Sequence, residues 1–274
     1  MNLSYRNHTN AEAISRIFNK SLDNPEWYQV KAASNGGESE ILIYDYIGWP
    51  YNDPSDLIRE MADMGDILGR INSPGGDVWD GMAIYNAFAT HKGGTVTMRI
   101  EGIAASMASV IAMAGKKLHA YDNTMLMIHN AWTYTAGNQY ELSDIADLLG
   151  KIDENMVDIY QGKSKISKRE LSQMMKDTTF LNAKEAKNKG FVDVIVDGKA
   201  AKADFDLSIY GNTPEGYGQG ESTEREKERA LRDVGFSQKE AKAILAGRKE
   251  GTQRDVEGIQ AITERVKLNL TGGK

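Results

Sequence analysis

Apolar positions along the first two hundred residues keep changing between two periods. Ile41 to Ile47 is rich in Ile and Tyr and predicts a strand. Asp66 to Asn72, with Ile67, Leu68 and Ile71, predicts a second. Between them lie a loop with Pro50 and Pro54 and a helix over Asp56–Met64, which Ser55 is placed to cap. Val78, Met82, Tyr85 and Phe88 recur at helical spacing through Val78–Thr90, the stripe of a helix packed on a core. Thr95 to Ile100 reads as a strand. Small residues then turn the chain, and Met107 to Ala114 reads as a buried helix closed by Gly115. Lys117–Tyr121 and Met125–His129 predict two more strands around an Asp122-Asn123 turn. Glu141–Lys163 is a long amphipathic helix, with Leu142, Ile145, Leu149, Ile152, Met156 and Ile159 on one face. Ser167 and Glu170 have capping-box spacing for a helix over Lys168–Met175. Asp177–Leu181 reads as a connector, Asn182 as the cap of Ala183–Lys189, and Phe191–Val196 as a last strand.

Strands that alternate with helices imply an α/β layer fold with largely parallel strands and right-handed crossovers. The pattern divides the chain into four parts. Residues 1–37 form a polar lead-in, with a short helix near Ala11 to Phe18. Residues 38–200 hold the α/β domain. Residues 201–222 read as a linker, since five of the twelve positions from Tyr210 to Glu221 are Gly or Pro. Residues 223–274 read as a helical tail. Thr223 with Glu226 and Ser237 with Glu240 are capping-box pairs there, and Leu231, Val234, Phe236, Ala241 and Leu245 are spaced to pack a hairpin.

Composition narrows the chemistry. At 274 residues and 41% hydrophobic, the chain can bury a sizeable core. Its net charge of −6 argues against a dedicated nucleic-acid binder. The charge is uneven, near +2 from Glu221 onward and −8 before it. A DNA-binding role for the tail hairpin is therefore the weaker reading. With no Cys, thiolate catalysis, disulfides and cysteine metal sites are excluded. His8, His91, His119 and His129 show no paired ligand spacing, so neither a metal nor another cofactor is expected. The N-terminus has no signal-peptide h-region, and the most apolar run is too short to span a bilayer. A soluble cytoplasmic protein without membrane or nucleic-acid partners is the expectation.

Three features then stand in order: Gly75-Gly76, Ser106 and His129. In a parallel sheet each lies at or just beyond a strand end, so they can converge at one edge. Ser106 would open a helix, where free N–H groups favour the oxyanion made when a serine attacks a carbonyl. His129 follows after 23 residues, enough for a helix, turn and strand to return beside it. A neutral imidazole there can take the serine proton and hand it to a leaving amine. The backbone N–H groups of Gly76 and Met107 can hold the oxyanion.

These segments resemble the ClpP family of serine peptidases. The resemblance rests on Ile71-Asn-Ser-Pro-Gly-Gly76, Gly102-Ile-Ala-Ala-Ser-Met107, Met127-Ile-His129, and Phe180-Leu-Asn-Ala-Lys-Glu-Ala186 with Gly190-Phe-Val-Asp193, across roughly residues 40–197. It implies a ClpP/crotonase-type fold of β-β-α superhelical units and a ring-like homo-oligomer. It also implies Ser106 as nucleophile, His129 as base, and Gly76 and Met107 as oxyanion donors. Where the family carries its third, acidic member this chain has Thr178, with Asp177 one step earlier. Asp177 can swing in, Thr178 can orient His129, or another acid or a water can serve. The segment Glu226–Gly247 resembles the helical appendix of ClpP-like proteases in tailed-phage and prophage head modules. It implies a head maturation (prohead) protease that cuts scaffold and capsid protein inside proheads in a bacterial host. No ATP-binding Gly-x-x-x-x-Gly-Lys-Ser/Thr occurs, so ATP dependence would have to come from a partner. Thr178 motivates the alternative of a ClpP-fold assembly scaffold with weak or lost turnover.

Overall fold

The structure, a computed structural model, describes residues 15, 22–23, 26–33, 37–51, 53–133, 135–198, 207, 210 and 212–214. All belong to the first of the chain's two compact units, Met1–Gly218 and Gln219–Lys274. The expected helix at Ala11–Phe18, apart from Ser15, and the tail at 223–274 lie outside the described residues.

Among the described residues, eight strands form one mixed sheet. The path is β1 (Tyr28–Lys31), β2 (Ser39–Tyr44), β3 (Ile67–Ser73), β4 (Val96–Ala105), β5 (Lys117–Tyr121) and β8 (Val194–Val196). A branch runs from β4 to β6 (Met125–Ile128) and on to β7 (Thr179–Asn182). Pairing is parallel except for β1 with β2 and β6 with β7. The α/β class and the dominance of parallel strands agree with the alternation in the sequence. Strand β1 was hidden in the polar lead-in, and β7 in the supposed connector. Both are short, and β1 buries neither face fully, so their apolar pattern is weak.

Among the described residues, six helices pack around the sheet: α1 (Pro54–Met61), α2 (Val78–Ala89), α3 (Met107–Ala112), α4 (Gln139–Lys163), α5 (Lys168–Lys176) and α6 (Ala183–Asn188). Asp53, not Ser55, caps α1: its carboxylate accepts from Ser55 N–H, and Pro54 enters the first turn, where a missing N–H costs nothing. Helix α2 turns Gly81, Ile84 and Phe88 fully inward, with Val78, Met82 and Tyr85 flanking the core. Gly81 is needed there, because a Cβ would stand 2.7 Å from the Met107 side chain. Helix α4 begins with an Asn138–Glu141 capping box and buries only its second half, at Ile152, Met156, Val157 and Tyr160. Leu142, expected on the packed face, is exposed. Ser167 caps α5, but Glu170 does not reciprocate; its carboxylate goes to Lys189.

Buried charge ties the central strands together. Glu101 of β4 is 2% exposed and accepts from Arg70 Nη2 at 2.8 Å, Arg70 Nε at 2.9 Å and Arg99 Nε at 2.8 Å, with the Tyr44 hydroxyl as a further donor. Burial alone would raise its carboxyl pKa. The hydrogen bonds from Arg70, Tyr44 and Arg99 outweigh that and hold it below the ordinary carboxylate value.

Candidate active site

The site is built where three neighbouring parallel strands end at one edge. Strand β3 runs out into Pro74-Gly75-Gly76, β4 into Ser106, and β6 into His129. The route of β4 brings the last two together. Its first half pairs with β5 over Thr97–Ile100 and its second with β6 over Ile103–Ala105. The expected turn at Gly102–Ala105 is instead continuous strand, because Asn72 Oδ1 accepts from Ile103 N–H at 3.1 Å and carries the pairing past a register shift. Ser106 N–H then donates to Met127 O at 3.0 Å, so the reversal falls on one residue.

Ser106 has φ 53° and ψ −129°. This is a left-handed conformation that L side chains avoid, at a cost of about 1–3 kcal/mol. It lifts the side chain out of the strand direction. The hydroxyl caps none of the N–H groups of α3 and instead meets His129, with Oγ to Nε2 at 2.8 Å. The turn is pinned from behind, where Ser109 Oγ donates to Ser106 O at 2.6 Å. The buried Tyr160 hydroxyl of α4 lies 2.7 Å from Ser109 Oγ and supplies the next proton in the chain.

His129 is 9% exposed, and burial pushes its pKa down from 6.5 to about 4. The ring is therefore neutral at pH 7, and Nε2 can accept the Ser106 proton. Asp153 of α4 fixes the backbone just beyond it. That carboxylate accepts from Ala131 N–H at 2.7 Å and from the Asn130 amide. Neither Asp153 nor Tyr160 has a sequence signal beyond its helical position.

The two expected oxyanion donors, Gly76 and Met107, belong to the two segments that meet at Gly75. Ile47 N–H donates to Gly75 O at 2.8 Å, and Asp77 N–H donates to Ile47 O at 2.9 Å. In extended chain, N–H and C=O groups alternate sides, so the Gly76 N–H points away from Ile47. Met107 N–H opens α3, where no carbonyl of the helix reaches it. Gly75, at φ +99°, lets the two segments touch: a Cβ there would stand 2.6 Å from Ser106 Cβ and 3.0 Å from Met107 N. Gly76 backs onto Ile47, whose carbonyl would lie 2.0 Å from an added Cβ.

Asp177 is not brought to the imidazole. It ends α5 on an exposed turn, and its carboxylate accepts from Gln173 Nε2 at 2.8 Å. Among the described residues no carboxylate is bonded to His129. The register of β6 with β7 pairs Ile128 with Thr179, which places Thr178 opposite His129 one step on. Thr178 has φ 48° as the chain enters β7. One further group at the site lay in the stretch read as linker. Tyr210 is buried, with its ring edge-on to His129 at 4.8 Å between centroids. An aromatic within a Gly-rich run carries no sequence signal for such a place.

The chemistry of this arrangement agrees with what the chain is similar to. Residues 57–199, a little over half of the chain, match the family model described as Clp protease. The ATP-dependent Clp protease proteolytic subunit of Deinococcus radiodurans is 34% identical over 129 residues, which cover 46% of this chain and 63% of that protein. The protein of the same description from Carsonella ruddii is 33% identical over 136 residues, covering 48% and 68%. The chain thus spans about two-thirds of the length of these relatives. Among the described residues, no helix is long and apolar enough to cross a membrane.

Proposed function

The chain belongs to the Clp protease family, and from that premise we propose that it is a serine endopeptidase with Ser106 as nucleophile and His129 as general base. The observation that carries this reading is the 2.8 Å contact between Ser106 Oγ and His129 Nε2. An extended peptide pairs with the free edge at Gly76 and places its scissile carbonyl over Ser106. Oγ attacks the carbonyl carbon while its proton passes to Nε2. The carbonyl electron pair moves to oxygen, held by the N–H groups of Gly76 and Met107. One such donor is worth about 3–4 kcal/mol of transition-state stabilisation. Collapse expels the amine, which takes the proton from Nε2, and water releases the acyl group by the same steps in reverse order of partners. Among the described residues no carboxylate is bonded to the imidazole, and without one the imidazolium forms at higher cost than in a full triad.

The substrate we propose is the scaffold and capsid protein of a tailed phage or prophage. The protease would act as a homo-oligomeric ring during head maturation. The support is the resemblance of Glu226–Gly247 to the appendix of such proteases. Mass spectrometry of the protein incubated with its candidate capsid protein tests this. Defined capsid fragments that vanish with Ser106→Ala are expected; an intact capsid protein with an active enzyme removes the head-maturation reading and leaves the peptidase.

Thr178, opposite His129 where the family carries its acid, favours a second reading, an assembly scaffold of the same fold with little turnover. A fluorophosphonate separates the two, because it labels Ser106 only if the hydroxyl is activated.

A further inference from the structure

We infer that Leu207, Tyr210 and Asn212 form an intramolecular strap that occupies the catalytic cleft and holds Ser106 latent. The inference rests on the peptidase reading and adds regulation to it. Tyr210 spans the cleft. Its hydroxyl donates to Pro74 O at 3.0 Å, directly before the Gly75-Gly76 edge where a substrate backbone would pair. Its ring lies against His129 on the opposite wall. Burial pushes the pKa of this phenol up, and the nearby Ser106 hydroxyl acts against that shift.

This placement interferes with the chemistry in two ways. Ser106 has one proton. With the phenol hydrogen committed to Pro74 O, the phenol oxygen can accept that proton and compete with His129 Nε2 for it. An acyl group approaching Ser106 between Pro74 and His129 also meets the ring. Both effects end when the strap leaves.

The strap is anchored at both ends. Leu207 is fully buried, in a cluster with Ile103, Ala105, Met127 and Tyr210 at the ends of β4 and β6. Asn212 Nδ2 donates to Asp177 O at the turn before β7. Thr213 Oγ1 donates to Leu207 O at 2.6 Å and lies 2.8 Å from Tyr210 O. These contacts lie beside a site that must admit peptide. They suit a segment displaced by substrate, by assembly or by cleavage.

The test is the rate of fluorophosphonate labelling of the full chain, with Ser106→Ala marking the labelled residue. Tyr210→Ala removes one hydrogen bond and one edge-on ring contact, together worth about a tenfold shift between closed and open strap. It should label about tenfold faster than the unaltered protein. Tyr210→Phe keeps the ring and should gain about threefold. Asn212→Ala alters a solvent-facing anchor and leaves the core intact, so it serves if Tyr210→Ala does not fold. Faster labelling with an unchanged circular-dichroism spectrum is the expected result. Equal rates in the unaltered protein and in every strap variant overturn the strap and leave the peptidase standing. No labelling of Ser106 even in Tyr210→Ala and Asn212→Ala overturns both.

Discussion

Replacing Ser106 by glycine should make the fold more stable than replacing it by alanine. The usual order is the reverse. Glycine gives up more conformational freedom on folding, which places it about 0.5–1 kcal/mol below alanine at an ordinary position. Position 106 is not ordinary, because its φ of 53° with ψ −129° lies where an L side chain is strained by about 1–3 kcal/mol. Both substitutions delete the same hydrogen bond to His129 Nε2, so that loss cancels when the two are compared. What remains is the strain, kept by alanine and released by glycine, less the entropic handicap of glycine. The difference should favour Ser106→Gly by about 1 kcal/mol. For a unit of this size that is about 2–4 °C in melting temperature, within reach of urea titration or calorimetry of the two inactive variants. If Ser106→Gly is instead the less stable by about 0.5–1 kcal/mol, the turn carries no strain. The idea that the fold forces the nucleophile out of the strand would then be wrong.

Four further outcomes are expected. The folded His129 takes up a proton only below about 4, whereas the unfolded imidazole does so below 6.5. The stability this group contributes is present above 6.5 and lost as pH falls toward 4, by about 3 kcal/mol at most. The urea midpoint of His129→Gln should therefore change less between pH 7 and 4.5 than that of the unaltered protein, and parallel profiles would contradict the buried neutral ring. Gly75→Ala should abolish Ser106 labelling and cost at least about 2 kcal/mol, since its Cβ meets Ser106 Cβ at 2.6 Å and Ala105 O at 2.8 Å with φ at +99°; near-normal labelling would show that the two segments need not touch. Asp177→Asn should leave peptide hydrolysis within about threefold of normal, whereas loss of a true triad carboxylate costs about 10⁴; a drop of that order would return Asp177 to the site. Glu101→Gln leaves Arg70 and Arg99 without their shared carboxylate and should cost about 3 kcal/mol in urea, and a change under about 0.5 kcal/mol would show the cluster to be a solvated surface network.

The local signals in this chain were strong wherever one residue type has one physical use. The period of the apolar residues marks β3–β6 and the buried end of α4, since each buries a face that water would otherwise solvate. Gly75-Gly76, Ser106 and His129 could be read together because neighbouring parallel strands end at the same edge whatever lies between them. Other features depend on partners far along the chain. Nothing near Gly102 says that Asn72 will carry β4 forward to Ala105, 31 residues after that amide in the case of Ile103. Asp177 looks right as an acid near the expected place, but the β6–β7 register and the end of α5 turn it toward Gln173. Tyr210, in a run whose composition says linker, folds back 136 residues to reach Pro74. A sequence displays the intrinsic preferences of its segments. Which side chains meet across long separations is decided only when the whole sheet closes and each buried polar group must find a partner.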